Sequence, residues 1–153
     1  MRTLLIGGLV LILIGGIYIF TAGGAAPKRF ALSSYRHHMM ETIGHTAAAL
    51  EAATKGIVPA EEGHVLGNAI ILANAAKLSK ATFVEDTRGV EGKSDSKDAI
   101  WENWDDFSTQ IDKFEADTSA LVAALSAGDE GAAAAAMKAV NDSCGKCHET
   151  YRH

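Results

Sequence analysis

Hydrophobic positions fall into two different patterns along this chain. From Leu4 to Phe20 every residue is apolar, aromatic or glycine, and no charge occurs between Thr3 and Pro27. Such a run cannot remain in water, so it reads as a membrane span or an export signal. It outruns the roughly 7–15 residues of a signal's hydrophobic core. It also ends in the bulky Ile17-Tyr18-Ile19-Phe20, which favours a retained anchor. The small residues Thr21 to Ala26 would equally suit a signal peptidase. As a helix, Leu4 to Ala26 spans roughly 34 Å, enough to cross a bilayer. Gly8, Gly15, Gly16 and Gly23 share one face of that helix, where a neighbouring span could approach. Either reading exports the rest and divides the chain into residues 1–26 and a domain over 27–153.

The second pattern has helical period. Met40, Ile43, Ala47 and Leu50 recur at spacings of three and four and form one inward stripe. The spacing predicts a first helix over Leu32–Thr54, stopped by Lys55-Gly56 and Pro59. A second starts at Pro59 or Ala60, with Glu61 and Glu62 in its first turn, and runs to Lys80. Thr82 to Lys97, rich in charge and glycine, reads as a loop. A third helix is predicted over Lys97–Ala127, ended by Gly128, and a fourth runs from its cap Asp129 to the C-terminus. The fold class is all-α: an antiparallel four-helix bundle preceded by one hydrophobic N-terminal helix. The run Ala132–Ala136 would let two helices, or a helix and a flat ligand, pack closely.

Composition narrows the function. The 153 residues carry 14 basic and 19 acidic side chains, which lacks the basic footprint of a nucleic-acid binder. Two cysteines are too few for a disulfide scaffold. Both lie in Cys144-Gly145-Lys146-Cys147-His148, the Cys-x-x-Cys-His pattern of covalent c-type haem attachment. Two thiols on one helical turn can form thioethers with the haem vinyl groups, and His148 can then offer its imidazole to the iron. A redox dithiol and half a zinc site are the alternatives. The first should sit between a strand and a helix, and no strand pattern is visible. The second lacks two further ligands. One covalent haem c is therefore expected.

With its haem motif near the C-terminus of a four-helix bundle, the exported part resembles the class II cytochromes c, the cytochrome c-prime family. Tyr35-Arg36, Met40, Lys55-Gly56, Ile100-Trp101, Gly128-Asp129 and Tyr151-Arg152 carry the resemblance, which covers about residues 30 to 153. It implies that Met40 occupies the distal position facing the haem and that Arg36 lies beside a haem propionate. It gives Arg152 the role of a basic residue near the proximal histidine. Met39 lies about 100° around the helix from Met40 and His37 one turn before it, so both are poorer ligands. His38, His45, His64 and His153 read as surface residues, and Trp101, Trp104 and Phe107 as packing around the porphyrin.

Two functions follow from what faces the iron. A Met40 thioether would give a six-coordinate, low-spin electron-transfer centre. An open distal site, as in relatives with leucine or phenylalanine there, would bind nitric oxide or carbon monoxide. No acid–base constellation accompanies the motif, so an enzyme is not expected. The expected partners are redox proteins, foremost an integral respiratory or photosynthetic membrane complex, reached from the periplasmic side of the inner membrane. The resemblance also allows a homodimer through the first two helices.

Overall fold

Glycine punctuates the helices in this chain. At Gly56 (φ 65°) and Gly128 (φ 68°) the backbone enters the left-handed region, which only glycine adopts without strain. Each closes a Schellman motif. Ile57 N donates to Ala52 O and Gly56 N to Ala53 O, while Asp129 N donates to Ala124 O and Gly128 N to Leu125 O. Asp129 then caps the next helix by accepting from Ala132 N at 2.9 Å, as expected.

The structure is a computed structural model that describes residues 25–58, 64–90 and 94–153. The helices are α1 (Ala25–Thr54), α2 (His64–Ser79), α3 (Ala99–Glu102), α4 (Trp104–Ser126) and α5 (Glu130–Tyr151), with a 3-10 turn at Lys80–Thr82. The fold is all-α, and α1, α2, α4 and α5 form the four-helix bundle. All but the last two residues of the expected N-terminal anchor or signal (1–26) lie outside those described, as do Glu61 and Glu62. Among the described residues no helix is long and apolar enough to cross a membrane.

Two boundaries differ from expectation. α1 is already helical at Ala25, the first described residue, and not only from Leu32. Its first described turn contains Pro27. That turn is also tied down: Arg29 donates to Asp86 O at 2.8 Å and Arg88 O at 3.0 Å, and Lys28 pairs with Glu85 at 3.2 Å. The third helix is broken at Asn103, whose backbone (φ −127°, ψ 47°) leaves the helical region. The break lets α3 deliver Ile100 into the core and Trp101 Nε1 to Phe83 O at 2.8 Å.

The core divides along the bundle axis. One cluster gathers Leu50, Leu72, Phe114, Leu121 and Val140 with Ala69, Ala76 and Ala133. The other gathers Phe83, Ile100, Phe107, Ile111 and Tyr151. Of the run Ala132–Ala136, only Ala133 is fully buried, in the first cluster, and none lines the cavity described below. Ala133 and Ala136 pack between helices, while Ala132, Ala134 and Ala135 are exposed.

Candidate cofactor site

Three seams of the bundle are closed, since α1 packs on α2, α2 on α4, and α4 on α5. The fourth, between α1 and α5, makes no comparable contact, and a cavity of about 410 Å3 fills it. That volume lies within the roughly 300–1,000 Å3 of ligand sites. Cys144, Cys147, His148, Met40 and Arg36 all line it, so the structure brings together the five residues expected to hold the cofactor.

On the α5 wall, Cys144 packs against the first core cluster and Cys147 against the second. Their spacing of three puts both on one side of the helix, with His148 beside them at the exposed mouth. Burial pushes the Cys144 thiol above its ordinary range and Cys147 up to about 11. Reactive dithiols are shifted the other way, towards the thiolate, so the redox-dithiol alternative finds no support here. Partial desolvation, and then the Arg152 charge, lower the His148 pKa and favour the neutral imidazole that a metal requires. Among the described residues no group of three or more His, Cys, Asp or Glu side chains could hold a metal ion, so the zinc reading lacks its ligands.

On the α1 wall, the stripe predicted from periodicity places Met40 against both core clusters, while Met39 packs only on the first. Arg36 is 1% exposed. Its Nε donates to Thr82 O at 3.0 Å and its Nη1 to Thr87 Oγ1 at 2.8 Å. The guanidinium also lies over the Phe83 ring at 4.7 Å and the Trp101 ring at 5.2 Å. Desolvation lowers its pKa to about 10, partly opposed by Asp86. Phe107 lines the cavity, whereas Trp101 and Trp104 pack behind it.

Several lining groups escaped the sequence reading. His37, expected as a poorer ligand, lines the cavity with Nε2 3.3 Å from Glu41 Oε1, and His45 is exposed as expected but also borders the cavity. The segment Ser94–Lys97, expected as plain loop, straps across the end of α5. Ser96 bridges Arg152, Lys97 N donates to Tyr151 O, and Arg152 Nη2 reaches Asp95 Oδ2 at 3.0 Å. Tyr151 donates to Asp106 Oδ2 at 2.6 Å, and Gln110 Nε2 donates to the same oxygen at 2.8 Å. The i, i+4 spacing of Asp106 and Gln110 was the available signal.

Two buried side-chain polar atoms among the described residues lack a hydrogen-bond partner, Arg36 Nη2 and Gln110 Oε1. Both belong to residues of this cavity. Buried polar groups are ordinarily satisfied, so both orphans on one apolar-walled cavity fit a large group with polar edges. Two thiols and an imidazole on one turn, facing a thioether, fit haem c in particular. Residues 31–152 match the family model described as Cytochrome C'. The chain belongs to the cytochrome c' family.

The family relationship spans most of residues 27–153. Cytochrome c-556 of Agrobacterium tumefaciens (strain II Chrys) is 37% identical over 117 residues, 76% of this chain and 93% of that protein. The solved structure of cytochrome c' from Rubrivivax gelatinosus superposes with a TM-score of 0.72 at 24% identity, covering 80% of this chain and 94% of its own. A nitric oxide complex of a variant cytochrome c prime from Alcaligenes xylosoxidans gives a TM-score of 0.70 at 27% identity, covering 81% and 94%. As a cytochrome c-type haem protein of this family, the chain carries covalently bound haem c, and its two cysteines suffice for a single attachment.

Proposed function

We propose that this cytochrome c' family member is a periplasmic electron-transfer protein. In this reading Cys144 and Cys147 carry the haem, His148 and Met40 ligate its iron, and Arg36 lies beside a propionate. The position of Met40 carries the reading: its thioether lines the wall facing the Cys-x-x-Cys-His turn and touches the clusters that hold both cysteines. Bound haem c supplies a one-electron iron couple. The chain's part is to hold that couple still. The Met40 thioether and His148 imidazole would hold the iron in both oxidation states, and the apolar walls would exclude water, so little would reorganise on transfer. Arg36, fixed by Thr82 and Thr87, keeps its free N–H for a carboxylate edge.

Replacing Met40 tests the assignment. Wild-type ferric protein should show the weak far-red charge-transfer band of sulfur–iron ligation, and Met40→Leu should abolish it and yield a high-spin spectrum. A high-spin wild-type spectrum, unchanged by Met40→Leu, selects the second reading, a protein that binds nitric oxide or carbon monoxide. The small Gly44 and Ala47 on the same wall favour that alternative, and the relative from Alcaligenes xylosoxidans has been solved as a nitric oxide complex.

The proposed setting is the periplasmic face of the inner membrane, with Leu4–Ala26 retained as an anchor. Supporting this, α1 is already helical at Ala25, next to the apolar run, so little free chain separates the domain from the bilayer. Such a tether favours an integral respiratory or photosynthetic complex as redox partner, and makes the protein a carrier with no catalytic residue. Intact mass of the natively matured protein checks the anchor. A mature N-terminus near Ala25 replaces the anchored carrier by a freely diffusing one.

A further inference from the structure

The buried orphan at Gln110 has a direction imposed on it. Asp106 is a carboxylate and can only accept, so Gln110 must turn its NH2 towards it, at 2.8 Å. Tyr151 O–H donates to the same Asp106 oxygen at 2.6 Å and fixes the carboxylate from α5. The Gln110 amide is thereby oriented, and its Oε1, buried and without a partner, belongs to a cavity-lining residue. That oxygen needs a donor.

The register of α4 against α5 shows which donors are near. Two hydrogen bonds bracket the seam: Asp106 with Tyr151, and Asp117 with Ser143. Gln110 lies one turn from Asp106, and His148 lies three residues before Tyr151, so the two stand at the same level. The other donors on the cavity are committed or remote. Ser143 gives its proton to Asp117 and Arg152 is held by Asp95. Arg36 has one free N–H, assigned above to a propionate, and it stands on α1, which makes no comparable contact with the α4 that carries Gln110. Asn141 lies about two turns from His148 along α5. A haem propionate is an acceptor and cannot satisfy a carbonyl oxygen.

We infer that Gln110 is a positioning residue for the proximal ligand, its Oε1 accepting the ring N–H of His148 that faces away from the iron. Metal-bound histidines characteristically donate that proton to an acceptor, which fixes the ring and raises its basicity as a ligand. Tyr151 and Asp106 then set the amide's orientation from behind. The inference rests on His148 being an iron ligand, as proposed above.

Proton and nitrogen NMR of the ferrous holoprotein, with redox titration, tests it. The His148 ring N–H should exchange with solvent about tenfold more slowly in wild type than in Gln110→Leu, the factor of one ordinary hydrogen bond. Gln110→Leu should also raise the reduction potential, because a less basic imidazole favours ferrous iron. Gln110→Glu, which keeps an acceptor, should restore slow exchange and lower the potential below wild type. Should Gln110→Leu fail to mature, Asp106→Asn frees the amide to rotate and should give faster exchange in its place. Exchange and potential unmoved across the variants overturn the assignment of Gln110 alone. A His148 imidazole with no ring-current or hyperfine displacement overturns the ligation it rests on.

Discussion

The two halves of this bundle are built from different materials. The half containing Leu50, Leu72, Leu121, Val140 and the buried alanines is mainly aliphatic, with Phe114 the one buried aromatic ring of its cluster. The other half is aromatic, with Phe83, Phe107 and Tyr151, and it buries Arg36, Thr82 and Thr87 alongside them. In the first half the chain is its own partner, and burial of each leucine side chain contributes about 1.5–3 kcal/mol. Beside the second, the α1–α5 seam stays apart over a cavity that also reaches Ile43, Phe114 and Cys144 of the first, and two polar atoms lack partners. A protein interior is close-packed and satisfied. The contrast therefore marks where the polypeptide is shaped to something that is not polypeptide.

The strongest way to break this comparison is to prevent attachment. Replacing Cys144 and Cys147 together by serine should abolish covalent haem, read as a colourless pellet after acid–acetone extraction. It should also loosen the halves unequally. Amide exchange should accelerate over residues 83–90, 94–111 and 141–152 and change little over 118–126. Equal acceleration in both halves would mean that haem is not the missing partner of one half.

The reverse experiment attacks the aliphatic half. Leu121 is 2% exposed in the first cluster, and Leu121→Ala should destabilise by about 2–5 kcal/mol in chemical denaturation. The haem absorption spectrum should stay as in wild type. A shifted spectrum would show that the two halves communicate more closely than their contacts indicate.

The difference between the halves also explains what was legible in the sequence. Met40, Ile43, Ala47 and Leu50 announced their face by period alone, and Gly56, Gly128 and Asp129 announced helix ends through local backbone chemistry. The haem motif was legible because its residues are adjacent in the chain. What remained hidden is long-range. Tyr151 with Asp106 is separated by 45 residues and Arg152 with Asp95 by 57. No spacing rule connects such pairs, and a polar residue in an exposed-looking register gives no sign of where its amide points. The break at Asn103 was hidden for the same reason: α3 turns aside to seat Ile100 and Trp101, a demand made by packing and not by local propensity.

Arg36 probes the polar edge of the aromatic half. Arg36→Met keeps the length of the side chain but removes the donors to Thr82 O and Thr87 Oγ1. It should cost about 1–3 kcal/mol. The reduction potential should fall, because a cation beside the haem favours the ferrous state. A stability loss with an unmoved potential would separate Arg36 from the haem edge and leave it as a packing residue.

The smallest effect concerns alkaline stability. Burial, and then the Asp106 carboxylate, hold the Tyr151 hydroxyl up to about 12, against about 10 for a free phenol. The folded protein thus keeps a proton that the unfolded chain loses as pH rises past roughly 10. Stability from this group is complete below that pH, declines through the interval up to about 12, and then levels off. The difference between wild type and Tyr151→Phe isolates the phenol, since every other group is common to both. Denaturation midpoints should fall less steeply with pH in Tyr151→Phe across this window, while at neutral pH the variant should lose only the hydrogen bond to Asp106, about 1 kcal/mol. Parallel curves would mean that the hydroxyl is no better protected than a surface tyrosine, and that the aromatic half opens locally before it unfolds.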